Sequence, residues 1–149
     1  MVTGQRSLEV LDEAACIELL KSQSVGRMGF VDDKGPMVLP VNIRFVERNG
    51  PHWVVVRTNK DTDILKAATT RVAIEIDHID VAQKDAWSVV ARGELQRLSD
   101  DEAQDLFDHF DPGPWLSERD EWLIVRCDLL TGRRVHDSDD WPFADTAYL

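Results

Sequence analysis

Arg57 and Thr58 are the residues whose types and placing point first to chemistry. They end an apolar run, His52-Trp53-Val54-Val55-Val56, and open a polar loop that reads Thr58-Asn59-Lys60-Asp61-Thr62-Asp63. A guanidinium at the lip of an apolar strand is suited to holding an anion, because it presents a rigid fork of donors that stays charged at any working pH. Catalysis by side chains alone finds no comparable support. The four histidines, His52, His78, His109 and His136, show neither HxH nor HExxH spacing, so no zinc ligand set is expected. Asp77, His78 and Asp80 read as a solvated strand end. There is no GxSxG elbow, no P-loop and no GxGxxG. Cys16 and Cys127 form no CxxC pair and read as reduced thiols of a cytoplasmic protein. No catalytic residue is named by the sequence.

The elements that must position Arg57 are mostly strands. Asp12 is a good N-cap for a helix over 13–22, with Ala15, Cys16, Leu19 and Leu20 on one face. About six strands follow from the alternation and the turn signals, over residues 25–31, 37–46, 52–57, 71–77, 86–98 and 121–127, the last continued after a turn by 131–135. Asn49-Gly50 marks a hairpin turn between the second and third of these. Pro40 argues for an edge, a bulge or a strand that changes sheets, and Gly93 for a bulge or sharp bend. Residues 58–68 are polar and then mildly helical. Ser99 and Glu102 form a capping box for a helix reaching about residue 110. Strands dominate before the second helix, so a doubly wound parallel sheet is not expected. Long antiparallel strands bent at Pro40 and Gly93 suggest a small barrel. Residues 1–10 read as a flexible arm, 11–136 as the folded domain and 137–149 as an acidic tail.

Composition sets the outer bounds. The chain has 149 residues, 43% of them hydrophobic and 30% charged, which suits one soluble globular domain. The net charge is −11, but nine acids and one base fall between Ser99 and Glu121, and four acids and no base lie in the tail. The remainder is close to neutral. A chain with this balance and no basic stripe repels phosphate backbones, so nucleic acid is not an expected partner. No apolar run is long enough to span a membrane, and the first residues lack a secretory signal core.

Six phrases recur together in a telling order. They are Val25-Gly26-Arg27-Met28-Gly29-Phe30, Gly35-Pro36-Met37-Val38-Leu39-Pro40-Val41-Asn42, Val56-Arg57-Thr58, Val72-Ala73-Ile74-Glu75-Ile76-Asp77, Trp87-Ser88-Val89-Val90-Ala91-Arg92-Gly93 and Thr131-Gly132-Arg133-Arg134-Val135. This order resembles the pyridoxamine 5′-phosphate oxidase-like family of flavin-binding split β-barrels, over roughly residues 11–135. The resemblance implies a mainly β, α+β fold: a six-stranded antiparallel split barrel with a few short flanking helices. It implies a homodimer with FMN in each of two clefts between the subunits. It also implies an oxidoreductase that passes hydride through FMN, or through a deazaflavin taken up as cosubstrate. By the same resemblance Leu39, Pro40, Val41 and Asn42 flank the flavin ring. Arg57 and Thr58, with Asn59, Lys60 and Thr62 of the loop, approach the phosphate. Trp87 and Ser88 close the site, and Arg134 is the C-terminal arginine.

The loop departs from the family pattern. Asp61 stands where relatives carry a glycine, and Asp63 where they carry a lysine that grips the phosphate. A carboxylate ~6 Å from a phosphate dianion is repelled by roughly 1–5 kcal/mol. Lys60 is the cation left in this loop. Two other readings follow from the departure and from the acid-rich stretch. The fold could serve as a binding module that has lost FMN and takes another flat ligand, haem or a different flavin. It could also be a non-enzymatic dimer whose acidic helix and tail meet a basic partner.

Overall fold

The structure, a computed structural model, describes residues 7–47, 50–59, 62–107 and 120–136. In chain order these form β1 (Ser7–Leu11), α1 (Glu13–Lys21), β2 (Val25–Asp32), β3 (Gly35–Glu47), β4 (His52–Asn59), a 3-10 turn (Asp63–Ala67), β5 (Arg71–Asp80), β6 (Asp85–Arg97), α2 (Asp100–Phe107), β7 (Asp120–Arg126) and β8 (Leu129–His136). The caps form as the sequence suggests. The Asp12 carboxylate accepts from the Ala15 amide at 2.8 Å. Ser99 and Glu102 exchange side-chain to backbone hydrogen bonds at 3.2 Å each, the capping box of α2.

The strands form one antiparallel sheet in the order β1-β8-β6-β5-β2-β3-β4-β7, and a further pairing of β6 with β7 closes six of them into a ring. The six-membered antiparallel ring expected from the sequence is therefore present, with β8 and β1 added along the outer edge of β6. Ser7–Leu11 departs from the expected flexible arm. Its backbone pairs with β8 from Ser7 opposite His136 to Leu11 opposite Gly132. The stretch is too short and too exposed to show a clear alternation, so its partner edge rather than its own pattern fixes it as a strand.

Two strands of 13 residues turn the corners of the ring. β3 pairs with β2 through Gly35–Asn42 and with β4 through Asn42–Glu47. Pro36 and Pro40 lie in the half of β3 that has one neighbour, where a missing N–H costs no ladder bond. On β6, one edge pairs with β8 as far as Arg92 and with β7 from Leu95. Gly93 sits between these two stretches, and a Cβ built there would run into the Arg126 carbonyl of β7. The bend expected at Gly93 is thus a close approach of two backbones.

Inside the ring lies a core that includes Met28, Ile43, Val54, Val56, Ile74, Ile76, Val89, Leu95, Leu123 and Val125, capped by Cys16 and Leu20 of α1. A smaller cluster outside the ring joins Val55 and Ile124 to Leu106 of α2. Alternation along β4 sends Val54 and Val56 inward and Val55 outward, so α2 covers one outer face while α1 plugs the interior.

Gly93→Ala is expected to lower unfolding stability by about 2–3 kcal/mol, because the closing backbone contact has to move. Gly29→Ala is the control: the nearest atom to its new Cβ is 3.9 Å away, so the change stays within about 0.5 kcal/mol. Urea denaturation of the two variants checks the contrast.

Candidate functional site

β3 and β4 part company at one rung. Asn42 pairs with Arg57, and beyond that rung β3 continues along β2 while β4 continues along β7. The gap is a polar cleft of about 260 Å³ lined by Pro40, Val41, Asn42, Arg57, Thr58 and Asn59. Six of the residues singled out by the sequence are therefore brought to one place. Val41 and Thr58 are buried, Arg57 is half-buried, and Pro40, Asn42 and Asn59 are exposed. Among the described residues lining the cleft there is a guanidinium, two side-chain amides and a hydroxyl, and there is no carboxylate.

The loop after β4 is tied by hydroxyls. Thr58 and Thr62 share a hydrogen bond of 2.8 Å, and the Thr62 hydroxyl donates to the Asn59 carbonyl at 3.1 Å. Thr62 thus supports the cleft wall without lining it. Lys60 and Asp61 lie outside the described residues. Asp63 does not face the cleft. Its carboxylate accepts from the Lys66 ammonium at 2.9 Å and lines a different hollow, with Asp32, Asp33 and Lys34. That hydrogen bond also raises the Lys66 pKa. The repulsion expected from Asp63 is redirected by Lys66, one turn further on.

The other expected residues do not join this cleft within one chain. Leu39 packs against the core. Trp87 is buried in the same core, its ring 6.4 Å from that of His78. Ser88 is half-buried between Asp77 and Arg133 in the ladder. Arg134, opposite Trp87 on β8, donates to both oxygens of Asp85 at 3.1 and 3.0 Å, and those bonds raise its pKa. Trp87, Ser88 and Arg134 form a second group on β6 and β8, apart from the Asn42–Arg57 rung.

Sequence reasoning missed five residues. Ser24, Ile43, Arg44, Val55 and Trp122 line a second hollow that shares Asn42 and Arg57 with the first. The signal was available for two of them. Arg44 lies two residues from Asn42 and Val55 two from Arg57, so a period of two puts each pair on one strand face.

Residues 12–134 match the family model described as pyridoxamine 5′-phosphate oxidase. No match is found among curated proteins. Among solved structures, the FAD-binding protein from Mycobacterium smegmatis is 30% identical, with a TM-score of 0.71 over 87% of this chain and 99% of that one. A conserved protein of unknown function from Corynebacterium diphtheriae is 24% identical, with a TM-score of 0.72 over 87% of this chain and 98% of its own. An FAD-binding protein from Mesorhizobium loti is 19% identical, with a TM-score of 0.67 over 89% of this chain and 100% of its own. The last two show a shared fold.

The thiols are chemically quiet. Burial, then the nearby Asp128, pushes Cys127 up to about 12, and burial with Asp12 and Glu13 raises Cys16. A thiol whose folded pKa lies above its unfolded value stabilises the fold below the unfolded pKa, and that stability is lost as pH rises. Unfolding stability is therefore expected to fall from about pH 9 toward pH 12, by up to about 1.4 kcal/mol per unit for Cys127. Cys127→Ala flattens that slope, as read from urea midpoints across the range.

Proposed function

Because the chain belongs to the pyridoxamine 5′-phosphate oxidase family, we propose that it is a flavin-binding oxidoreductase that works as a homodimer, with FMN held where β3 and β4 diverge. The observation that carries this reading is the sign of the cleft. A chain of net charge −11 lines it with Arg57, Asn42, Thr58 and Asn59 and no carboxylate among the described residues. Such a lining fits a phosphate, which needs a charged fork and neutral donors. The 30% identical relative from Mycobacterium smegmatis binds FAD, which supports a flavin here.

Each residue then has a task. Arg57, Thr58 and Asn59 hold the phosphate, Thr62 braces Thr58, and Lys60 adds charge from the loop. Leu39 backs the wall that Pro40, Val41 and Asn42 present to the ring. When bound, the flavin supplies hydride transfer, so the protein need only bind, orient and keep water away. A deazaflavin makes the same demands on the cleft.

The homodimer supplies the second group. Trp87, Ser88 and Arg134 of a partner copy close the site across the seam. An apolar outer sheet face, on which Ser88 lies and Trp87 does not, supports the pairing of two copies. Val10 is 82% exposed, Val31 66% and Val38 62%, which is unusual for strands left in water. Between them Arg27 bridges Glu75 and Asp77 at 3.1 and 3.2 Å, so the carboxylates on that face are paired. The free thiols support a cytoplasmic setting. Among the described residues no helix is long and apolar enough to cross a membrane.

Titrating FMN into the purified protein is expected to yield one flavin per chain, read from the flavin's visible absorbance and fluorescence. Arg57→Ala weakens binding by about tenfold or more, the loss of a charge-assisted contact. A wild-type chain that takes up no flavin ends this reading. Sedimentation is expected to give two chains per particle, and a monomer would remove the role given to Trp87, Ser88 and Arg134.

A further inference from the structure

The outer sheet face carries charges that one chain leaves unbalanced. Ile76 on β5 and Val89 on β6 are buried inside the ring, and a Cβ built at Gly132 on β8 would meet the Cys16 thiol there. Their chain neighbours Asp77, Ser88 and Arg133 therefore point outward. These three form one row across the sheet, with Asp77 opposite Ser88 and Ser88 opposite Arg133. One strand further out on each side, the row ends in an exposed valine. Val10 of β1 stands opposite Arg133, and Val25 of β2 falls level with Asp77 when the Arg27–Glu75 register is carried two residues on.

Arg27 is one guanidinium for two carboxylates, 3.1 Å from Glu75 and 3.2 Å from Asp77. The trio keeps one negative charge. Burial and the charge of Asp77 raise the Glu75 pKa, a mark of that crowding. Arg133 is exposed and forms no ion pair among the described residues. The surplus acid and the surplus base stand two strands apart, roughly 10 Å, with Ser88 between them. An uncharged surface laid over this face would bury both charges unpaired, which is costly. A second copy of the same face gives each charge its opposite.

Resting on the homodimer reading, we infer that the two copies meet about a two-fold axis parallel to β6, so that Asp77 of each copy pairs with Arg133 of the other. Half a turn about that line exchanges the two sides of the row. Asp77 then lies over Arg133, and Val25 over Val10. In the next row, where Ala86 stands between Ile79 and Val135, Ile79 lies over Val135. Acid meets base and apolar meets apolar, as a self-complementary interface demands. The line itself carries Ala86, Ser88 and Val90, side chains small enough to let the sheets approach. Stacked sheets stand about 10 Å apart, a gap that an arginine and an aspartate close between them. Arg92 lies on the same line, faces its own copy and gains no partner there.

Fluorescence-detected sedimentation over a dilution series tests this through the dimer Kd. The chains compared are the wild type, Asp77→Asn, Arg133→Gln, the double variant and Arg92→Gln. All three positions lie outside the ring, so none of the changes disturbs the core. Each single change at Asp77 or Arg133 removes both symmetry-related pairs and is expected to weaken the dimer by about tenfold. The double variant is expected to be no weaker than the worse single, and Arg92→Gln not to weaken the dimer at all. Losses that multiply in the double variant overturn the pairing, because the two residues then act independently. An unchanged Kd in either single variant overturns it as well. So does a loss from Arg92→Gln equal to that from Arg133→Gln, which would make the effect one of net charge. In each of these cases a dimeric wild type leaves the homodimer reading in place. A wild-type chain that stays monomeric at every concentration removes both.

Discussion

Where the edge of β6 passes from β8 to β7, the Arg126 carbonyl occupies the space that a side chain at position 93 would need. The rest of the architecture follows from that contact. Only if β7 can reach β6 at Leu95 does the sheet close on itself. Once closed, β7 is committed along the whole outer edge of β4, from Trp53 to Asn59. β4 then has its far end held by β7 while β3 is drawn away along β2. The cleft between Pro40 and Asn59 is the gap that this divided loyalty leaves.

Such a gap is a useful place to hold an anion. Two strand ends bring side chains from opposite edges to one point without burying any charge completely. Arg57 is half-buried, so its guanidinium is partly shielded from water yet accessible. Partial burial strengthens its attraction for a phosphate relative to a fully solvated arginine. Among the described residues lining the cleft there is no carboxylate. Asp63 is turned away by Lys66, and Glu75 and Asp77 are drawn onto Arg27. The overall charge repels anions at long range, while the described lining of the cleft carries Arg57 and no carboxylate.

The ring strands could be read from sequence because β2, β5 and β6 alternate, β4 and β7 are short apolar runs, and the two longest strands carry a bend marker. The rung that makes the cleft was within reach as well. Asn42 stands seven residues before Asn49 and Arg57 seven after Gly50, so a hairpin centred on that turn must oppose them. β1 was not readable, because a five-residue edge strand draws its order from β8 and not from its own pattern. The outcome at Asp63 was hidden for a different reason. One-dimensional spacing gives the position of a carboxylate but not its direction, and the 3-10 turn swings it toward Lys66. Trp122 and Ser24 were missed because each comes from a separate element that only the closed ring brings beside Arg57.

The central claim is that a flavin lodges where β3 and β4 separate. Amide hydrogen exchange with and without added flavin locates the contact on the chain itself. The account predicts slowed exchange confined chiefly to residues 40–44 and 55–59. Flavin-dependent protection centred elsewhere, with these two stretches unchanged, would contradict it.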